Sequence, residues 1–226
     1  MIPAFIMWLV RKYWFQSKRR QQSRNNIYAL PKIVKLIILL ILFAVPAMAQ
    51  QQAYRYAVLY KGNNIGNMYL TQQQNGDELF VKITSAIQMR MVMSVRVNVA
   101  EEASYKDGKL MYSSVYREVN GKQKTNRQTK YCNGCYEITA EGKKSKLYKT
   151  GIHYNLTRLY CKEPVNISQV YSDAFQQFIN LKPLGAHKYK LQLPDGNYNL
   201  YYYQNGICNK VEVHSTFYTV QMQLME

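Results

Sequence analysis

Residues 79–99 read LFVKITSAIQMRMVMSVRVNV, with apolar side chains at nearly every odd position. The even positions carry Lys and Arg together with Thr, Gln, Ser and Asn. This period of two is typical of a β-strand with one face turned to a core, whereas a helix would repeat every 3.6 residues. A two-residue hairpin would exchange the two faces. The stretch is therefore one long, bent strand, or two strands joined by an odd-length loop near Ser85 or Ser94.

Outward from this stretch, the chain is rich in Asn-Gly and Asp-Gly pairs, which accept positive φ angles in tight hairpin turns. The steps from Gly108 to Gly121 and from Gly121 to Gly134 are 13 residues each. Such steps leave no room for crossover helices. They predict an all-β fold in which an antiparallel meander forms a curved sheet, half-barrel or barrel-like sandwich. The six pairs are Asn75-Gly76, Asp107-Gly108, Asn120-Gly121, Asn133-Gly134, Asp195-Gly196 and Asn205-Gly206.

At most one or two short helices are expected. Tyr171, Phe175, Phe178 and Ile179 fall at helical spacing after Ser and Asp residues that could cap a helix. We therefore predict a short helix within residues 168–179.

The N-terminal region has the layout of a secretory signal peptide. Lys32 and Lys35 precede an apolar block of ten residues, Leu36 to Val45, which is shorter than a membrane-spanning helix. Ala47-Met48-Ala49 then suits cleavage of the Ala49/Gln50 bond. The alternative is an uncleaved signal-anchor whose basic N-terminal segment stays in the cytoplasm.

These features divide the chain into three parts. Residues 1–30 are interpreted as an over-extended start or a cytoplasmic extension, residues 31–49 as the signal, and residues 50–226 as a single antiparallel β domain. The expected location is the periplasm or cell envelope of a Gram-negative bacterium, or the inner membrane if the anchor is retained.

Composition and charge restrict the class of protein further. Hydrophobic residues make up 47% of the chain and charged residues 19%, as in folded globular proteins. The net charge is +17, but the first 49 residues hold eight cations and no acid, which leaves +9 for residues 50–226. An exported chain of that charge is not expected to bind nucleic acid. Of the 21 tyrosines, all but Tyr13 and Tyr28 lie in residues 50–226, and most of these are expected to pair across strands with their hydroxyls at the solvent rim.

Four cysteines follow the signal, at Cys132, Cys135, Cys161 and Cys208. Cys132-Asn-Gly-Cys135 has the spacing of a redox pair or of half a zinc site, yet its Asn-Gly centre indicates a hairpin, and the other two cysteines occur singly. In an exported protein the default is a disulfide, whose pairing the sequence does not choose. No metal or other cofactor is expected.

Evidence for catalysis is weak. His153, His187 and His214 have no fixed spacing to a nucleophile, and Glu163, before Pro164 among aromatic residues, could be a tuned acid or an ion-pair partner. An envelope enzyme or a thiol-redox or metal protein, using Glu163 or the Cys132/Cys135 pair, is the alternative. The sequence favours a non-enzymatic module.

The favoured binding face carries Met89, Met91 and Met93 on one side of the alternating stretch. Thioether side chains adapt to irregular shapes and could line a site for an acyl chain or a partner chain. Ordinary core filling is the competing explanation. We therefore expect an apolar small molecule or an envelope protein as the partner, with the membrane only nearby or joined through an uncleaved anchor.

Several short motifs follow one another along residues 50–226. They include Tyr54-Arg-Tyr-Ala-Val, Asp107-Gly108-Lys109-Leu110, Glu163-Pro164 and Leu193-Pro194-Asp195-Gly196. In this order they make the chain resemble an uncharacterised family of exported, β-rich proteins common in Bacteroidetes. The resemblance covers nearly all of residues 50–226 and implies a β fold of the cell envelope, without implying an activity.

Overall fold

The computed structural model describes residues 50–90 and 94–225, which form one curved, unclosed antiparallel sheet of 14 strands. The spatial order is β8-β7-β6-β5-β4-β3-β2-β1-β14-β13-β12-β11-β10-β9, so only the β1–β14 contact joins strands that are distant in sequence. The predicted all-β meander is confirmed. The strands are β1 (Gln50–Tyr60), β2 (Asn63–Asn75), β3 (Glu78–Arg90), β4 (Ser94–Lys106), β5 (Lys109–Val119), β6 (Lys122–Cys132), β7 (Cys135–Ala140), β8 (Lys143–Leu147), β9 (Gln169–Ser172), β10 (Gln177–Gly185), β11 (Lys188–Gln192), β12 (Tyr198–Gln204), β13 (Ile207–His214) and β14 (Thr219–Leu224).

The alternating stretch forms β3 and β4. Arg90 pairs with Ser94, so three residues join the strands, and the odd-length loop keeps odd positions on one face. In β3 the odd residues Val81, Ile83 and Met89 are buried, and most even residues are exposed. Met91 and Met93 lie outside the described residues.

Four of the six Asn-Gly and Asp-Gly pairs form the predicted two-residue turns. At these four, both residues of the pair have positive φ and the flanking residues pair directly. At the Asn75-Gly76 pair, Asn75 itself pairs with Glu78, so the turn is one residue later. The four positions are Asp107-Gly108, Asn120-Gly121, Asn133-Gly134 and Asn205-Gly206.

The helix predicted within residues 168–179 is wrong, because this stretch forms β9, a turn and β10. Tyr171 and Phe178 are cross-strand partners, and Gln176 takes a positive φ of 57° in the turn. Aromatic residues that are seven apart share a helix face, but they also meet across a hairpin whose turn has four residues. Among the described residues, the only helical element is a short 3-10 helix, Thr157–Tyr160.

The inner face of the sheet is filled by the segment that joins β8 to β9, residues 148–168, here called the inner segment. Its residues Ile152 and Leu159 are fully buried in the two hydrophobic clusters that line the sheet. The amide of Leu110 donates to the carbonyl of Ile152 at 2.7 Å, and Asn155 forms a parallel bridge with Tyr171. The concave side therefore holds a packed core rather than one large lumen.

Several tyrosine hydroxyls form hydrogen bonds inside this core, so the rim position expected for most tyrosines does not apply to them. The hydroxyl of Tyr136 donates to the carbonyl of Leu110 and accepts from the amide of Ile152. The hydroxyl of Tyr203 donates to the carbonyl of Leu159 at 2.7 Å. The backbone of the inner segment is irregular and buried, so its peptide groups need hydrogen-bond partners from side chains. A buried peptide group without a hydrogen bond would destabilise the fold.

Candidate functional site

The predicted apolar face reaches the surface at one end of β1–β3. Met89 is buried, with 8% of its surface exposed, and it lines an open cleft of about 650 Å³, here called the Met89 cleft. Ile65 and Tyr60 supply further apolar surface there, and the exposed cations Lys61 and Arg90 stand on its rim. The structure thus places Met89 at the edge between core and solvent.

A second cleft of about 610 Å³ adjoins the first and shares Tyr60 and Lys61 with it. It is lined by Phe217 and Tyr218 from the turn between β13 and β14. Phe217 has 83% of its surface exposed, which makes it the most exposed of the large hydrophobic residues described. The two clefts together, here called the Met89 end, present apolar and aromatic surface beside cations. The second cleft is also lined by Glu212, whose carboxylate is paired with Lys210 at 2.9 Å.

Local backbone features shape this end. Lys61 and Gly62 both take positive φ in the turn between β1 and β2, and a register shift follows Val58. A Cβ atom on Gly66 would lie 2.2 Å from the carbonyl oxygen of Ala86, so only glycine lets β2 approach β3 there. Sequence reasoning missed the Lys61-Gly62 turn, although its glycine was a usable signal.

A buried polar network lies inside the sheet, and sequence reasoning missed it. The carboxylate of Asp173 accepts hydrogen bonds from the hydroxyl of Ser113 and, at 3.0 Å, from the side-chain amide of Asn155. The hydroxyl of Tyr105 donates to Asn155 Oδ1 at 2.6 Å. Burial raises the pKa of Asp173, while its hydrogen bonds oppose the rise. These contacts join β5, β4 and the inner segment to the turn that follows β9.

Glu101 is a second inward carboxylate, at an odd position of β4 between Val99 and Ala103. Burial, reinforced by the charge of Asp173, raises its pKa to about 7, and the guanidinium of Arg117 opposes the rise. A carboxylate on an otherwise apolar face was the sequence signal that could have identified this network.

Glu163 and the histidines do not converge on one site. The Glu163 carboxylate contacts His187 Nδ1 at 3.0 Å and accepts a hydrogen bond from the hydroxyl of Tyr189 at 2.9 Å. Burial and this carboxylate raise the pKa of Tyr189 to about 12. His153 contacts the carbonyl of Gly108, and His214 contacts Glu212. Glu163 therefore ties the end of the inner segment to β11.

All four cysteines are free thiols, so the structure does not contain the expected disulfide. Cys132 and Cys135 close a two-residue hairpin, where Cys135 Sγ points to the carbonyl of Cys132 at 3.2 Å. Burial raises the pKa of Cys161 and of Cys208 to about 12, which favours the protonated thiol over the thiolate in both. Across residues 50–90 and 94–225, no group of three or more His, Cys, Asp and Glu side chains could hold a metal.

Comparison with known proteins gives a family and a distant structural likeness. The chain is similar to a β-barrel-like protein of the domain of unknown function DUF1849 from Brucella abortus, with 10% sequence identity and a TM-score of 0.49. That match covers 79% of this chain and 96% of the other. No curated protein matches the sequence. None of the described helices is long and apolar enough to cross a membrane.

The family match extends over almost the whole sheet. Residues 56–225, from the middle of β1 to the end of β14, match the family model of a domain of unknown function, DUF6134. The chain therefore belongs to the DUF6134 family.

Proposed function

We propose that this protein is an exported, non-enzymatic binding module that takes a long-chain carboxylic acid or a similar amphipathic ligand at the Met89 end. The observation that carries this proposal is the pair of adjoining clefts, of about 650 and 610 Å³, in which apolar and aromatic side chains meet solvent beside cations. Volumes of this order accommodate one small ligand each.

The chemistry of the lining matches such a ligand. Met89, Ile65 and Tyr60 offer an adaptable apolar surface for an acyl chain, because thioether and aromatic groups pack against irregular shapes. Lys61 and Arg90, both exposed at the rim, would pair with a carboxylate that stays in water. Ordinary core filling explains the burial of Met89 but not the exposure of Phe217.

A fluorescence titration with a dansyl-labelled undecanoic acid tests the proposal. Phe217→Asp removes apolar surface at the Met89 end and adds a charge that repels the carboxylate, so we expect affinity to fall by about tenfold or more. Tyr148→Asp is the matched control, because Tyr148 is 78% exposed and lies after β8, away from the clefts. Equal affinities of both variants and the wild type would contradict the proposal.

Native mass spectrometry of protein purified from its own envelope distinguishes the two partner classes. A copurifying small lipid-like mass supports the ligand, whereas a stoichiometric second polypeptide would replace it with the partner-protein alternative.

The enzymatic alternative uses Glu163 or the Cys132/Cys135 pair. It requires a nucleophile or metal ligands near these groups, and in the part of the chain that the structure describes Glu163 meets His187 and Tyr189. These contacts favour a structural role for Glu163, which holds the inner segment to β11, over a catalytic role.

Export is part of the proposal and rests on the signal-like layout of residues 31–49, which lie outside the described residues. Cleavage after Ala49 would release a chain that starts with Gln50 at the beginning of β1. The intact mass of protein from the envelope fraction should match residues 50–226. A full-length species that stays in carbonate-washed membranes would favour the signal-anchor.

A further inference from the structure

Two glutamine triplets face each other at the opposite end of β1 and β2 from the Met89 end. Gln50 pairs with Gln74, Gln51 with Gln73, and Gln52 with Gln72. Because strand residues alternate between faces, Gln52 and Gln72 share the inner face with Tyr56 and Met68, whereas Gln51 and Gln73 point outward. The inward set is Gln50, Gln52, Gln72 and Gln74.

These four amides line a cleft of about 310 Å³, here called the amide cleft, together with Leu79 and with residues of the inner segment. Arg158, Cys161 and Lys162 form its other wall. No described Asp or Glu lines it, and neither cation forms an ion pair with a described residue. The neighbouring carboxylate of Glu163 is already engaged by His187. The cleft therefore carries positive charge without a counter-ion.

Arg158 is held in place before any ligand arrives. Its Nη1 donates to the carbonyls of His153, at 2.9 Å, and of Gly108, at 3.4 Å. Its guanidinium lies 4.8 Å from the ring centroid of Tyr105 and 5.3 Å from that of Tyr154. A guanidinium fixed between rings loses little side-chain entropy when it binds an anion, and carboxylates are its natural partners.

The amides add a second requirement on the ligand. The Oε1 atom of Gln52 accepts hydrogen bonds from Gln72 Nε2 and, at 3.1 Å, from the hydroxyl of Tyr54, so this amide is also positioned. Each glutamine amide has two donors and an acceptor, so several remain to bind groups that both donate and accept. Hydroxyl groups have that property. A volume of about 310 Å³ is the size of a single small molecule.

We propose that the amide cleft binds a small, multiply hydroxylated carboxylate such as a sugar acid, with the acid on Arg158 and Lys162 and the hydroxyls on the glutamine amides. This site is separate from the Met89 end, and neither proposal depends on the other.

NMR titration of the purified protein with D-glucuronate tests the inference. We expect the side-chain amide signals of Gln52 and Gln72 to shift with millimolar affinity, and D-glucose at equal concentration to leave them in place. No shift with glucuronate at tens of millimolar would overturn the proposal. Inorganic phosphate that binds as tightly as glucuronate would also overturn it, since the cleft would then recognise charge alone.

Matched variants locate the site. Lys162 is exposed, so Lys162→Gln should fold normally and weaken glucuronate binding by about fivefold, whereas Lys182→Gln, at an exposed position of β10, should not change it. Gln72→Met removes an inward amide and should weaken binding similarly, while Gln73→Met, on the outer face, is its control. Equal affinity of Lys162→Gln, Gln72→Met and their controls would place the site elsewhere and overturn the proposal.

Discussion

The side chain at position 89 marks the boundary between core and solvent in β3. Met89 is buried, and its neighbour Gln88 is exposed on the other face. Met89→Lys would place an ammonium group against apolar residues, where desolvation is expensive. We expect Met89→Lys to lower the free energy of unfolding by about 3 kcal/mol or more and Gln88→Lys to change it by less than about 0.5 kcal/mol. Urea unfolding of both variants measures these differences, and equal losses would refute the assignment of odd positions to the interior.

We expect Glu101 to make the free energy of unfolding depend on pH. Its pKa in the folded protein is about 7, above its ordinary value of 4.5, so the folded state binds more protons than the unfolded state between these values. Stability must therefore fall as the pH rises through this window, and Asp173, whose pKa is also raised, acts in the same direction.

The expected loss between about pH 5 and about pH 8 is on the order of 2–3 kcal/mol. Glu101→Gln, which stays neutral, should remove most of it and should make the protein more stable than the wild type at the higher pH. Thermal melts of both proteins across this range provide the measurement. An unchanged pH slope in Glu101→Gln would show that other groups cause the dependence.

Single residues also show where sequence reasoning succeeds. Asn120 and Asn133 take positive φ before a glycine, as their side chains allow, and both turns were predictable. Lys61 and Glu141 take the same conformation before Gly62 and Gly142. These two turns were missed because neither Lys nor Glu favours positive φ, and the register of the paired strands imposes it.

At the scale of elements, the inner segment depends on hydrogen bonds from the sheet that surrounds it. The Tyr136 hydroxyl donates a hydrogen bond to the Leu110 carbonyl, at 3.0 Å, and accepts one from the Ile152 amide, at 2.8 Å. Tyr136→Phe leaves a buried peptide amide without its partner, which should cost about 1–3 kcal/mol of unfolding free energy. Tyr131→Phe is the control, because Tyr131 packs against Tyr136 but its hydroxyl makes no hydrogen bond to a described residue.

Chemical denaturation compares the two variants, and amide hydrogen exchange at Ile152 reports the local effect. We expect faster exchange in Tyr136→Phe only. Equal stability of both variants would mean that the inner segment is held by packing alone.

Three strands escaped prediction, for two different physical reasons. β8 has the sequence KKSKL and lies at an open edge of the sheet, where lysines discourage pairing with other chains. With so many lysines, β8 lacks the alternation of apolar and polar residues that identifies a strand. β9 and the start of β10 were read as a helix because Tyr171, Phe175, Phe178 and Ile179 fall at helical spacing. The interior strand β5 runs from the residue after Asp107-Gly108 to the residue before Asn120-Gly121, so the two predicted turns define both of its ends.

At the scale of the whole molecule, the clefts come from parts of the chain that local patterns cannot bring together. The Met89 end combines the β1–β2 turn, the end of β3 and the β13–β14 turn, and only the β1–β14 pairing places Phe217 beside Tyr60. The sequence identified Met89 through its period of two. It could not identify Phe217, because a turn residue has no periodic signal.

The central claim is that an amphipathic ligand binds at the Met89 end. The most direct test is NMR of protein labelled with ¹³C in the methionine methyl groups, titrated with laurate, with Met89 assigned through Met89→Leu. Met68, buried in the middle of β2 with 2% exposure, is the internal control. We predict that the Met89 signal shifts in a saturable manner while the Met68 signal stays. Saturating laurate that leaves the Met89 signal unmoved would contradict the account.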